Sequence, residues 1–314
     1  MNLDNVSAGL EPFEALPPEA AATLRRIGPA WATDINRHRK LVVDTYTPIV
    51  ARMRTHSNIV VERDLPYGPH PRQRLDIFLP KQQGQHNPGA DIVIFMHGGA
   101  FIRGQKSFNG EIYDNVSYWF ANEGLVAINM EYRLASDAPY PGGALDVDSA
   151  VQWARKNASQ YGGNPQRIFL IGHSAGGTHV ATYLLDPICS GRSQDTVSAA
   201  VLVSGRLFAD VRPENPNANG VREYFGNDEA LYEQRSPMTH ADRASTPLMV
   251  VTAQFENPLL DQYGLEFASR VSRFTGHTPR FMQMRGHNHT SITAHFNSGE
   301  NLLGREILAF MSSV

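Results

Sequence analysis

The chain has 314 residues, 41% hydrophobic and 19% charged, with 28 basic against 31 acidic side chains and a net charge of −3. That length suits one large domain or two small ones, and without a cationic excess nucleic acid is a poor partner. No run of about 18 apolar residues offers a membrane span, and the single cysteine, Cys189, leaves no internal disulfide and no thiolate zinc cluster.

The first stretch, Met1 to Glu14, carries Asp4, Glu11 and Glu14 and no apolar segment, so it does not read as a signal peptide. With one cysteine, a reduced, cytoplasmic setting is expected, and the Asn-x-Ser/Thr triplets at Asn5, Asn115, Asn157 and Asn288 then carry no weight. From Pro17 to Arg54, Leu24, Ile27, Trp31 and Ile35 fall at helical spacing. Val42, Val43, Tyr46, Ile49, Val50 and Met53 repeat it after the basic run Arg37-His38-Arg39-Lys40. Two or three helices are expected there. They either cover one side of the domain or shape the mouth of a site.

Beyond Ser57, short β-rich runs alternate with helical ones. Asn58–Leu65 and Gln73–Leu79 read as an antiparallel pair of strands, and Asp91–Met96 as a strand buried on both faces. Leu125–Asn129, Arg167–Ile171, Ala199–Val203, Pro247–Ala253 and Phe281–Met284 are further strands. Helical patterns cover Tyr113–Asn122, Leu145–Tyr161, Gly176–Leu185, Leu259–Thr275 and Ile292–Met311. Such alternation implies crossovers and a mainly parallel sheet covered on both sides. Gln82–Ala90 reads as a polar turn and Arg206–Ala244 as a long insertion rich in Pro, Asn and Gly.

The strongest chemical signal is Gly172-His173-Ser174-Ala175-Gly176, a G-x-S-x-G between a buried strand and a helix. Its glycines allow the tight turn that exposes the Ser174 hydroxyl at a helix N-terminus, where amides favour a developing anion. The second is His97-Gly98-Gly99-Ala100-Phe101 after the strand at 91–96. Backbone N–H groups of Gly98, Gly99 and Ala175 suit an oxyanion hole, and His97 orients the loop. Gly99 to Gly104 imitates a phosphate loop, but Gln105 holds the lysine position.

A serine nucleophile needs a base, and the base needs a carboxylate, in the chain order Ser, Asp/Glu, His for this elbow. Gly286-His287-Asn288-His289 follows the last strand; His289 is preferred over His287 because it directly precedes the final helix. An H-x-H pair also suits a metal, but no third ligand lies at local spacing. The acid belongs after the strand at 247–253: Glu256, three residues on, is preferred, and Asp261 is the alternative. Phe101, Phe208 and Phe255 are candidate substrate-lining aromatics.

With these motifs assembled, the chain resembles an α/β-hydrolase carboxylesterase of the hormone-sensitive-lipase-like and kynurenine-formamidase-like branch. The resemblance spans about 58–314. It rests on HGGAF at 97–101, Glu131-Tyr132-Arg133-Leu134, Pro139-x-Pro141, Gly162 to Ile168, GHSAGG at 172–177 and GHNH at 286–289. It implies a mostly parallel central sheet flanked by helices, with a helical cap. The oxyanion glycines fall on Gly98 and Gly99, the nucleophile on Ser174 and the base on His289. Three positions depart from the family pattern: Ala135-Ser136-Asp137 where Ala-Pro-Glu is usual, Glu256-Asn257 where Asp precedes Pro-Leu, and Ala100 where formamidase-like members carry an aromatic.

The expected organisation is an N-terminal helical cap segment at 1–55 and a catalytic domain at 56–314 with a cap insertion at about 206–244. The expected activity is cofactor-independent hydrolysis of a small carboxylic ester through an acyl-enzyme. The near-neutral charge fits an uncharged substrate. An amidase or arylformamidase on the same triad is the alternative, followed by a non-catalytic small-molecule receptor. A peptidase of prolyl-oligopeptidase type shares the serine motif, but the chain lacks room for a large gating domain. Oligomeric state is left open, a homodimer included.

Overall fold

The computed structural model describes residues 11–81, 89–192, 194 and 197–314. Asp4, Asn5 and most of the polar turn read at 82–90 lie outside the described residues. Eight strands form one sheet in the order β1-β2-β4-β3-β5-β6-β7-β8. They are β1 Ile59–Pro66, β2 Arg74–Pro80, β3 Ala90–Met96, β4 Val126–Met130, β5 Gly163–His173, β6 Val197–Val203, β7 Leu248–Phe255 and β8 Arg280–Asn288. β1 and β2 pair antiparallel, as do β2 and β4; every other pairing is parallel. Each expected strand is present, and the fold is the α/β-hydrolase fold.

The apolar runs of the central strands have the physical basis anticipated for them. Ile92 and Ile94 of β3 pack into a core layer with Leu75, Ile168 and Leu170, while Val93 and Phe95 pack into the opposite layer with Phe78, Phe169 and Ile171. Both faces are covered, so alternation disappears from the sequence. The covering helices are α1 Pro18–Ala30, α2 Ile35–Thr55, α3 Asp114–Asn122, α4 Gly142–Asn157 and α5 Ala175–Leu185. They continue with α6 Ala218–Phe225, α7 Tyr232–Arg235, α8 Leu260–Thr275, α9 Ser291–Ala294 and α10 Leu302–Met311. Among the described residues no helix is long and apolar enough to cross a membrane.

Two expectations on elements need correction. The helix read over Ile292–Met311 is split into α9 and α10. Between them Asn297 takes φ 56° and Gly299 φ 104°, left-handed conformations that end a right-handed helix. β7 and β8 run further than expected, to Phe255 and Asn288, so Glu256 follows its strand directly rather than three residues later, and Gly286-His287-Asn288 lies inside the last strand rather than after it.

The N-terminal helices bury Leu24, Ile27, Trp31, Val42, Tyr46 and Val50 in a cluster of their own, which also takes in Phe13, Ile112 and Ala294. Asp34 caps α2 by accepting a hydrogen bond from Arg37 N at 3.1 Å. The segment 206–244 packs Val221, Tyr224, Phe225 and Tyr232 against Phe101, Ala135 and Ala175.

Candidate active site

The β5–α5 junction is built around close backbone approach. Ser174 holds φ 55° and ψ −117°, and its N–H donates to Val203 O at 2.9 Å. A Cβ on Gly172 would lie 2.4 Å from Gly176 O, and one on Gly176 would lie 2.4 Å from Met96 O. Only glycine fits at either position, and the forced turn lifts Ser174 out at the head of α5.

The structure brings Ser174, His289 and Glu256 together. Ser174 Oγ stands 3.1 Å from His289 Nε2, and His289 Nδ1 stands 2.7 Å from Glu256 Oε2. A carboxylate only accepts, so Nδ1 carries the proton and Nε2 is left to accept from the serine hydroxyl. All three side chains are buried. Glu256 Oε1 accepts from Ala253 N at 2.8 Å and from the Ser204 hydroxyl, while Oε2 also accepts from Asn257 N at 3.2 Å. The carboxylate is thereby fixed on every side, which offsets the cost of its burial. His289 is placed by the end of β8, where its N–H donates to Phe255 O at 3.2 Å.

The alternatives lie elsewhere. His287 has Nδ1 3.2 Å from Ser291 Oγ and its ring against Phe13, so the two histidines of H-x-H diverge. Burial, followed by the nearby His295, holds the His287 pKa well below the usual imidazole range. Asp261 sits in the first turn of α8.

The loop expected to hold the oxyanion is equally constrained. A Cβ on Gly99 would lie 1.7 Å from Arg103 O, and one on Gly98 would lie 3.0 Å from Ser174 Cβ. His97 secures the loop from beneath: its Nε2 is 2.7 Å from Glu131 Oε1, and its ring stacks on Tyr132 at 4.3 Å. Burial pushes Glu131 up, but hydrogen bonding and charge from His97, with Arg72, bring its pKa below the usual carboxylate range. Ala175 opens α5, so its N–H has no partner within the helix.

Ser174 opens into a cavity of about 590 Å³ lined by Gly98, Gly99, His173, His289 and Tyr113, with Arg39 and Val43 of α2 and Asn217 of the insertion. A volume of that order fits a small molecule. The three aromatics expected to line it do not. Phe101 is buried and stacks on Tyr224 at 4.7 Å; Phe208 packs on the main core beside Tyr263; Phe255 packs with the N-terminal cluster against Gly28. Each finds apolar neighbours away from the cavity, and hydrophobicity alone does not distinguish the two settings.

Sequence reasoning missed several neighbours of Ser174, His289 and Glu256. Ser204, at φ 51° just past β6, supports Glu256. Trp31 Nε1 donates to Asn257 Oδ1 at 3.0 Å, tying the N-terminal segment to the residue after the acid. His173 Nε2 donates to His289 O at 2.9 Å, and burial holds its pKa well below the usual range, with His289 adding to the shift. No motif marks Ser204, and nothing in the sequence pairs Trp31 with Asn257. Cys189 is buried, and burial pushes its thiol up to about 12.

A family model described as the prolyl oligopeptidase family matches residues 140–314. The chain belongs to that family of α/β-hydrolases. A second model, BD-FAE, matches residues 75–185 of this α/β-hydrolase. The chain is 26% identical over 258 residues to esterase LipC of Mycobacterium tuberculosis, covering 77% of this chain and 63% of that protein. It is 36% identical over 129 residues to an acetylcholinesterase of Myxine glutinosa, covering 38% and 36%. It thus spans less than two thirds of the length of either relative. Among solved structures, a hyperthermophilic esterase from Pyrobaculum calidifontis superposes with a TM-score of 0.71 at 22% identity, over 95% of this chain and 98% of that one.

Proposed function

We propose that this α/β-hydrolase is a serine carboxylesterase acting on small esters through an acyl-enzyme. The observation that carries the reading is the hydrogen-bonded relay from Glu256 through His289 to Ser174 at a glycine-flanked elbow. His289 Nε2 takes the Ser174 proton as Oγ bonds to the acyl carbon, and Glu256 stabilises the imidazolium. The carbonyl oxygen becomes an oxyanion facing the N–H groups of Gly98, Gly99 and Ala175, each worth roughly 3–4 kcal/mol of barrier. Collapse expels the alcohol, which takes the proton from His289. Water then repeats the sequence on the acyl-enzyme and frees the acid.

The same proposal makes residues 1–55 and about 206–244 caps on a catalytic domain. Support comes from α2 and Asn217, which contribute cavity wall from the two segments in question. It takes the setting to be reduced and cytoplasmic, on the strength of a sequence with one cysteine. Esterase names among its relatives agree with the chemistry.

The test is a panel of p-nitrophenyl esters graded by acyl length, with a formylated aromatic amine included and Ser174→Ala as control. Turnover of short esters, absent in the control, is the expected result. Activity retained by Ser174→Ala would sink the mechanism, and faster cleavage of the formamide would make the enzyme an amidase. A fluorophosphonate should label Ser174 covalently; a chain that resists it is no serine hydrolase.

A further inference from the structure

The basic run Arg37-His38-Arg39-Lys40 lies on the first two turns of α2, and its residues face different ways. His38 Nδ1 bonds Trp31 O at 3.1 Å, and Lys40 pairs with Asp44 at 2.5 Å. Arg39 is half-buried and lines the Ser174 cavity, where Asn36 and Val43 flank it at helical spacing and the Lys40–Asp44 pair lines the same wall. Arg103 lines the same cavity from the turn that follows the oxyanion glycines, a turn closed by the hydrogen bond from Arg103 N to Gly99 O at 3.1 Å.

Neither guanidinium has a carboxylate among the described residues. Arg39 donates to Asn36 Oδ1 at 3.3 Å and Arg103 to Asn217 Oδ1 at 3.2 Å. Elsewhere in the molecule Arg54, Arg63, Arg72, Arg133 and Arg206 each carry a carboxylate partner. Asp44, the one carboxylate among the described residues of the cavity wall, is already engaged by Lys40. Burial lowers the Arg39 pKa, and the charge of Arg103 lowers it further, so the two cations repel each other across the cavity. An anion between them relieves that repulsion and restores solvation lost by Arg39, and a planar guanidinium matches a carboxylate in a bidentate pair.

We infer that the ester taken by this site bears a carboxylate, held by Arg39 and Arg103 while Ser174 attacks the ester carbonyl: a half-ester of a short dicarboxylic acid or a close analogue. The inference rests on the esterase reading and narrows its substrate class. It replaces the uncharged substrate suggested by the net charge of −3, because the local charge of the cavity wall opposes the charge of the whole chain.

The experiment compares p-nitrophenyl hemisuccinate with p-nitrophenyl butyrate, which share a four-carbon acyl chain and differ in a terminal carboxylate. The readout is the ratio of their kcat/KM values at low ionic strength. Wild-type protein should favour the hemisuccinate. The ratio should fall about 10-fold in Arg39→Gln or Arg103→Gln and about 100-fold in the double variant. The double lysine variant should keep most of it, and added salt should erode it in the wild type. Fluorophosphonate labelling of Ser174 in each variant checks that the site is folded. A ratio unchanged in the double glutamine variant, with both esters turned over, overturns this inference and leaves the esterase reading standing. Wild-type protein that cleaves neither ester and resists the fluorophosphonate overturns both.

Discussion

At the floor of the cavity, a methyl group added to Gly99 would lie 1.7 Å from a backbone oxygen, and one added to Gly176 would lie 2.4 Å from another. At the rim, Asn36, Arg39 and Val43 stand on the surface of α2 and Asn217 on a connecting segment, with side chains rather than backbone forming the wall. The floor is defined by where the main chain must pass, so almost no residue there can change without moving the chemistry. The rim is defined by which side chains a helix happens to present. Reaction type is therefore written into the floor and substrate preference into the rim.

The sharpest way to break this contrast is Ser174→Ala, which should lower kcat by on the order of 10⁵–10⁶ while leaving the thermal midpoint nearly unchanged. A comparable loss from any rim substitution would show that the division is wrong. Glu256→Gln should cost roughly 10³–10⁴ in kcat, because an amide stabilises neither the required tautomer nor the imidazolium. Next is Gly99→Ala, where the added Cβ meets Arg103 O and φ is 154°. Displacing one oxyanion donor should cost about 10²–10³ in kcat, and because the clash falls on Arg103 itself, KM for a carboxylate-bearing ester should rise as well.

Two smaller effects sharpen the comparison through stability. His179 lies buried beneath the floor among Phe101, Tyr132 and Tyr224, and burial, reinforced by His97, lowers its pKa to about 3. The unfolded chain binds its proton near pH 6.5 and the folded chain does not. Above that pH His179 is neutral in both states and its titration favours neither; as pH falls toward 3 only the unfolded chain takes the proton, and stability is lost. In urea titrations at pH 7, 6 and 5, His179→Phe should flatten the acid loss by about 1 kcal/mol per pH unit. An unaltered slope would mean that His179 titrates inside the fold. The mildest change is Trp31→Phe, which removes the bond to Asn257 Oδ1. About 1 kcal/mol of stability and a few-fold in kcat should go with it. No effect on kcat would mean that rim and floor are uncoupled at that point.

The floor was the more readable region for the same reason that it is constrained. Glycines at 172, 176, 98 and 99 are legible because close backbone approach permits nothing else, and the strand and helix around Ser174 follow from buried runs and helical spacing. Rim assignments depended on which neighbour faces each side chain, and a sequence does not carry that. Phe101, Phe208 and Phe255 suit a cavity wall and a core equally well, and the structure gives them to cores. Arg39 sits at a helical position that periodicity identifies, but only the fold reveals that Arg103 stands near it. The split of the last helix was available in Asn297-Ser298-Gly299, a turn-forming run that the apolar spacing on either side concealed.

The hydrogen bond from Trp31 to Asn257 joins positions 226 apart, and the one from Tyr46 to Glu300 joins positions 254 apart. On a ribosome adding 5–20 residues per second, the N-terminal helices wait roughly 10–50 s before the segments that these bonds reach have been made. Through that interval the cluster of Leu24, Ile27, Trp31, Val42 and Tyr46 lacks Ala294, the late-made member that it packs with in the fold. These helices are thus made early and docked late, and the loop that carries Glu256 and Asn257 is braced only when they arrive.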